Sequence, residues 1–264
     1  MKIKFLGTGS AFAMKNYQTN AIITADSGKR LLIDCGMDIR FSMHAQGLTY
    51  KDIDAIFLTH AHADHIGGVE WLAFTRFFDK SAGDQPELFC VRPLMHEIWE
   101  NSLKGGLQSI EGKVMHLTDY FKCHAIETNE SFTWENCKFT PVQTIHVVDG
   151  FRFMMSYGLM IQKPFNRIMN GMEDHRHPTI FYTSDTQFAP YQLTKFYDMA
   201  DLIFHDCETA PFKSKVHAHY DDLRTLPYLT KGKMWLNHYQ DNPQQVPTAD
   251  GFAGFIQPGQ EFEL

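Results

Sequence analysis

The stretch LTHAHADHIGG, residues 58–68, places His60, His62, Asp64 and His65 within six consecutive positions, directly after the apolar run AIFLT. Four such side chains have few places to go, because each would need a partner if buried singly in a core. At the end of a strand, where the chain turns into a loop, all four can face one point. Neutral imidazoles and a carboxylate suit zinc, manganese or iron. The lack of cysteine in the cluster disfavours a closed structural zinc site, so open coordination positions are expected. Surface or helix-cap placement is the bland alternative; it explains a lone histidine well and a cluster of four poorly.

Short apolar runs rich in β-branched and aromatic residues recur along the chain: KIKFL (2–6), AIITA (21–25), RLLIDC (30–35) and AIFLTH (55–60). These read as strands. A later series, ELFCV (87–91), KFTPVQTIH (138–146), YGLMIQ (157–162), TIFYTSD (179–185), LIFHDC (202–207) and KMWLNH (233–238), reads the same way. Helical stretches interleave: one between residues 38 and 47 that Gly47 stops, RPLMHEIWENSLKGGL between Pro93 and the Gly105–Gly106 pair, and PYQLTKFYDMA opening at Pro190. The alternation predicts a layered α/β fold. No linker, low-complexity tract or solenoid-length repeat interrupts residues 1–264, so a single domain is expected. Residues 165–177, FNRIMNGMEDHRH, are polar and read as a loop or lid.

More candidates fall where strands end. His146 closes one, Asp185 another and His238 a third, while His205 lies inside LIFHDC. In open α/β sheets sites gather beyond strand ends, so ligands distant in sequence can converge. Taken singly, each is equally well explained as a hydrogen-bonded strand-end residue.

The balance of 31 acidic against 24 basic residues, formal charge -7, argues against gripping long nucleic acid through its phosphates. Five cysteines without a CxxC pair suit reduced thiols in a cytoplasmic setting. MKIKFLGTGS enters a strand directly, with no sign of a secretory leader, and no apolar run reaches bilayer length, so no membrane partner is expected.

With these residues in view, the chain resembles the metallo-β-lactamase superfamily, whose HxHxDH motif appears as HAHADH from His60 to His65. The resemblance spans nearly the whole chain and implies a four-layer αββα sandwich. It further implies two metal ions: His60, His62 and His146 on one, Asp64, His65 and His238 on the other, and Asp185 bridging. FLGTGSAF (5–12) and LLIDCG (31–36) are similar to the ribonuclease Z-like branch, with Asp34 supporting the metal loop. His62 stands where related oxygen-reducing di-iron proteins carry Glu, which favours hydrolytic Zn2+, with Mn2+ as an alternative.

Two ions can activate a water and neutralise charge on a phosphoryl group, and Asp64 can double as ligand and base. A departing alkoxide also needs an acid. KVHAHYDDL (215–223) supplies His217 and His219, and the resemblance favours His219, although the small residues that usually follow are replaced by Tyr220 and Asp221. The protruding basic arm of transfer-RNA processing enzymes is not evident, and EWLAFTRFF reads as core or dimer surface. The pattern is similar to phage anti-Pycsar enzymes, a resemblance that implies a zinc-dependent homodimer hydrolysing a 3′,5′-cyclic nucleotide. A tRNA 3′ endonuclease, a hydrolase of carbon esters, lactones or thioesters, and a non-catalytic metal-stabilised binding module are the alternatives. Tyr17, Phe151, Phe165 and Tyr239 are candidate stacking surfaces for a base, and Asn16, Tyr17 or Gln18 candidate polar contacts.

Overall fold

A computed structural model describes residues 1–163, 168–169, 172–173 and 178–263. The chain forms two compact units, residues 1–128 with 257–263, and residues 129–256. Each is built on a seven-stranded mixed sheet. Among the described residues no helix is long and apolar enough to cross a membrane.

In the first unit the sheet runs, edge to edge, Glu261–Glu263, Lys2–Gly7, Asn20–Thr24, Arg30–Ile33, Ala55–Phe57, Glu87–Val91, Lys122–Ile126. The first three neighbour pairs are antiparallel and the last three parallel. Near the antiparallel edge, Lys2 and Lys4 turn outward against Glu261 and Glu263, while Ile3 and Phe5 are fully buried. Ala55–Phe57 is buried throughout, as a strand covered on both faces must be. The expected helix after Cys35 spans Ile39–Ala45. Arg92–Leu107 is helical as expected, but a π segment, Trp99–Leu103, interrupts it. Gly105 and Gly106 lie inside its last turn rather than beyond it. A Cβ on Gly106 would meet the carboxylate of Glu70, the far end of an exposed and flexible side chain that can swing aside.

The second unit's sheet runs Gly254–Phe255, Met234–Asn237, Leu202–Asp206, Ile180–Tyr182, Phe153–Gln162, Cys137–Val148, Phe132–Trp134. Here Cys137–Val148 buries Cys137 and Phe139 on one face and, out of phase with them, Val142, Thr144 and His146 on the other. Its outer neighbour pairs only with Cys137–Phe139, which is why Pro141, lacking an N–H, is tolerated beyond that point. The ladder with Phe153–Gln162 shifts register between Ile145 and Val147, leaving His146 at a bulge. Helix Pro190–Met199 starts at its proline and buries Leu193 and Tyr197, four residues apart, against Phe181, Ile203 and Leu236. Of residues 165–177, the hairpin pairing Ile168–Met169 with Met172–Glu173 is described; Phe165 and the rest of the expected lid lie outside the described residues.

Candidate functional site

In the first unit the cluster is assembled around Asp34. The strand Arg30–Ile33 ends and Asp34 takes a left-handed conformation, φ 63°, a turn that costs a non-glycine residue some strain. Its carboxylate, fully buried, accepts from the Thr59 N–H at 2.9 Å, the Thr59 hydroxyl at 2.8 Å and His65 Nδ1 at 2.7 Å. Burial pushes the Asp34 carboxyl up, against the opposing pull of His65 and Thr59. Because the Thr59 hydroxyl spends its proton on Asp34, it accepts from His60 Nδ1 at 3.1 Å. One carboxylate thus fixes two imidazoles, each with Nδ1–H turned inward and Nε2 turned outward.

His60 Nε2 lies 3.1 Å from His62 Nδ1, and His65 Nε2 lies 3.2 Å from Asp64 Oδ2. His62 sits at the start of the short helix Ala63–Ile66, which brings Asp64 and His65 into its first turns. Backbone bonds from Cys35 N to His65 O and from Gly68 N to Cys35 O tie this loop to the strand end. Gly36 has to be glycine there, since a Cβ would fall 2.1 Å from Asp64 O.

In the second unit three imidazoles surround one oxygen. Asp185 Oδ2 lies 3.7 Å from His146 Nε2, 3.4 Å from His238 Nε2 and 3.8 Å from His217 Nδ1. The bulge at residue 146 aims its ring, and His146 Nδ1 donates to Val216 O at 2.8 Å. Ser184 and His238, φ 52° and 61°, make sharp left-handed turns beyond the strand ends Tyr182 and Asn237. Asp185, Asp206, His217 and His238 each offer a ligand atom, all within 4.8 Å of one another.

Asp206 was not singled out from the sequence. Its Oδ2 accepts from Thr186 N at 2.9 Å and His217 Nδ1 at 2.8 Å. Burial alone would lower the His217 pKa, but Asp206, with Asp185 and Glu208 adding, raises it to about 9. The two candidate acids separate clearly: His217 faces this cluster, whereas His219 caps the helix Tyr220–Leu223. Its Nδ1 accepts from Asp221 N at 3.2 Å and its Nε2 donates to Ala210 O at 2.9 Å, so both nitrogens are taken up by backbone. Of the two candidate acids, His217 is the one whose Nδ1 faces the carboxylates of this cluster.

The donor set fits a divalent cation. With Nδ1–H committed to Val216 O and to Asp34, the Nε2 lone pairs of His146 and His65 face carboxylate oxygens, acceptor against acceptor, an arrangement that a cation relieves. The aromatic candidates divide. Tyr239 is core, its hydroxyl donating to Ile256 O at 2.5 Å, while Phe151 is 97% exposed at a hairpin turn beyond His146. Tyr17 is half-buried, and Gln18 is buried, bonded to Ala11 O and Asp38. All five cysteines are free thiols.

Two mixed sheets with His and Asp at their strand ends define a metallo-β-lactamase fold. The chain is similar over 99% of its length to the metallo-β-lactamase fold protein YhfI from Bacillus subtilis, covering 98% of that chain (TM-score 0.68, 18% identity). It is similar also to a diphosphatase from the PhnP family, covering 100% of this chain and 97% of that one (TM-score 0.72, 20% identity). The family model for the anti-Pycsar protein Apyc1 matches residues 1–262. The anti-Pycsar protein Apyc1 of Bacillus phage vB_BveM-Goe7 is 34% identical over 272 residues, with 100% of this chain and 98% of the relative covered. The chain belongs to the anti-Pycsar Apyc1 family.

Proposed function

We propose that this protein is a metal-dependent phosphodiesterase that hydrolyses a small phosphodiester, foremost a 3′,5′-cyclic nucleotide, acting as a homodimer in the cytoplasm of the host cell. The observation that carries the reading is the acceptor-against-acceptor arrangement of histidines and aspartates, in a chain of the anti-Pycsar family. Following the family resemblance, we assign His60, His62 and His146 to one ion, Asp64, His65 and His238 to a second, and Asp185 to both. Zn2+ is favoured over Mn2+ by a donor set rich in imidazole. When bound, such ions supply Lewis-acid neutralisation of phosphate charge and an acidified water.

The chain's own groups do the rest. Asp64 orients the attacking water and accepts its proton. His217 holds its Nδ1–H on Asp206, which leaves Nε2 to deliver a proton to the departing ribose oxygen as the P–O ester bond breaks. One ester linkage is replaced by a phosphomonoester and a free hydroxyl.

The test is a substrate panel with purified protein and added Zn2+ or Mn2+: the 3′,5′-cyclic mononucleotides, a precursor tRNA and a naphthyl ester. Turnover of a cyclic mononucleotide that a chelator stops is expected. Activity on the carbon ester alone, or on precursor tRNA alone, would overturn the reading in favour of those chemistries.

A further inference from the structure

Behind Asp206 lies a buried pair that the reaction as proposed does not use. His205 is fully buried and Tyr197 is 2% exposed. The Tyr197 hydroxyl lies 2.7 Å from His205 Nε2, and His205 Nδ1 lies 2.7 Å from the main-chain oxygen of Asp206. A carbonyl oxygen can only accept, so Nδ1 carries the proton. Burial keeps the His205 pKa below its ordinary value, so the ring is neutral and its Nε2 must accept from the tyrosine. The direction of each bond is therefore fixed: Tyr197 O–H to His205, His205 N–H to the carbonyl of Asp206.

Successive strand side chains point to opposite faces. Along Leu202–Asp206, His205 turns toward helix Pro190–Met199 and Asp206 toward His217. The same residue is held through its preceding peptide, where Asp206 N donates to Thr183 Oγ1 at 3.0 Å, a hydroxyl whose own proton goes to Ser184 O at 2.8 Å. Thr186 N and His217 Nδ1 then share the Oδ2 atom of the carboxylate. An apolar strand residue at 205 would fill the same space and avoid burying two polar side chains, which gain little net stability from pairing with each other. Their use is directional: they set the plane of the Asp206 peptide, and with it the carboxylate against which His217 is aligned.

We propose that Tyr197 and His205 are positioning residues for the proton-donating Asp206–His217 pair. The inference rests on His217 serving as the proton donor. Its test compares leaving groups. Departure of a ribose alkoxide needs a proton, whereas 4-nitrophenolate leaves readily without one. Wild-type protein and the variants Tyr197→Phe, His205→Asn and His205→Leu are assayed on a cyclic mononucleotide and on bis(4-nitrophenyl) phosphate, with metal content measured.

Tyr197→Phe should lower kcat on the cyclic nucleotide roughly tenfold, the loss expected for one buried hydrogen bond. KM, metal content and the nitrophenyl rate should stay within about twofold. His205→Asn, which keeps a donor for the Asp206 carbonyl, should retain more activity than His205→Leu. In a His217→Ala background, Tyr197→Phe should have no further effect. Equal losses on both substrates, no loss on either, or an additive loss in that background would overturn the proposal. Nitrogen-15 imidazole spectra of the unaltered protein give a reading independent of turnover: His205 is expected as the Nδ1–H tautomer, and an Nε2–H signal would also overturn it. Should wild-type protein cleave neither diester, the phosphodiesterase reading itself fails, an outcome distinct from unequal behaviour of the variants.

Discussion

Asp34 in the first unit and Asp206 in the second do the same two things. Each accepts the Nδ1 proton of an imidazole, at 2.7 and 2.8 Å, and a threonine main-chain N–H, at 2.9 Å in both cases. What surrounds them differs. Asp34 also takes the Thr59 hydroxyl, and the side chain of its histidine partner is 1% exposed. His217 remains 16% exposed. A carboxylate–imidazole pair closed on every side can only hold a ring in place, so the His65 pair serves to aim lone pairs. A pair with one edge open can pass a proton outward. On the function proposed, the same two residue types take different duties according to what encloses them.

The predictions test that contrast, beginning with one proposed metal ligand from each unit. His62→Ala and Asp185→Ala should reduce turnover to background and strip bound metal, read by elemental analysis beside initial rates; retained metal with full activity would remove the basis of the comparison. Asp206→Asn should keep its metal yet slow cyclic-nucleotide hydrolysis by about a hundredfold or more, the usual worth of a positioned acid. Asp34→Asn should show the reverse pattern, with metal affinity weakened about 10- to 100-fold in a chelator competition and the rate largely restored at saturating metal. If the two variants behaved alike, the division of duties drawn here would collapse. His219→Ala should have the smallest effect, a loss of about 1–2 kcal/mol in denaturant unfolding from the lost cap and carbonyl bond, with kcat little changed. Slowed chemistry with metal retained would return the proton-donor role to His219.

Much of this was legible beforehand. The strands on which the site is mounted are short, apolar and β-branched, and His60, Asp185 and His238 lie one to three residues beyond strand ends, whereas His62 caps and Asp64 and His65 lie within the helix Ala63–Ile66, and His146 sits inside its strand. Asp206 was hidden because every residue from Ile203 to Asp206 is buried, so no hydrophobic alternation marks which neighbour faces the cluster. His205 drew notice as a histidine, while the aspartate beside it carried the contact. For His217 and His219 a signal did exist: Asp221 and Asp222 stand in the first turn of a helix and mark His219 as its cap. The bulge at His146 left no trace in the sequence, since a register shift depends on two strands at once.

That bulge has a consequence for how the chain can vary. Lys138 and Gln143 are exposed, so exchanging either for another polar residue should cost little. The number of residues between Cys137 and His146 is not free. Removing one would let the ladder close without interruption and would carry the imidazole to the opposite side of the sheet, so this segment should tolerate many spellings and a single length.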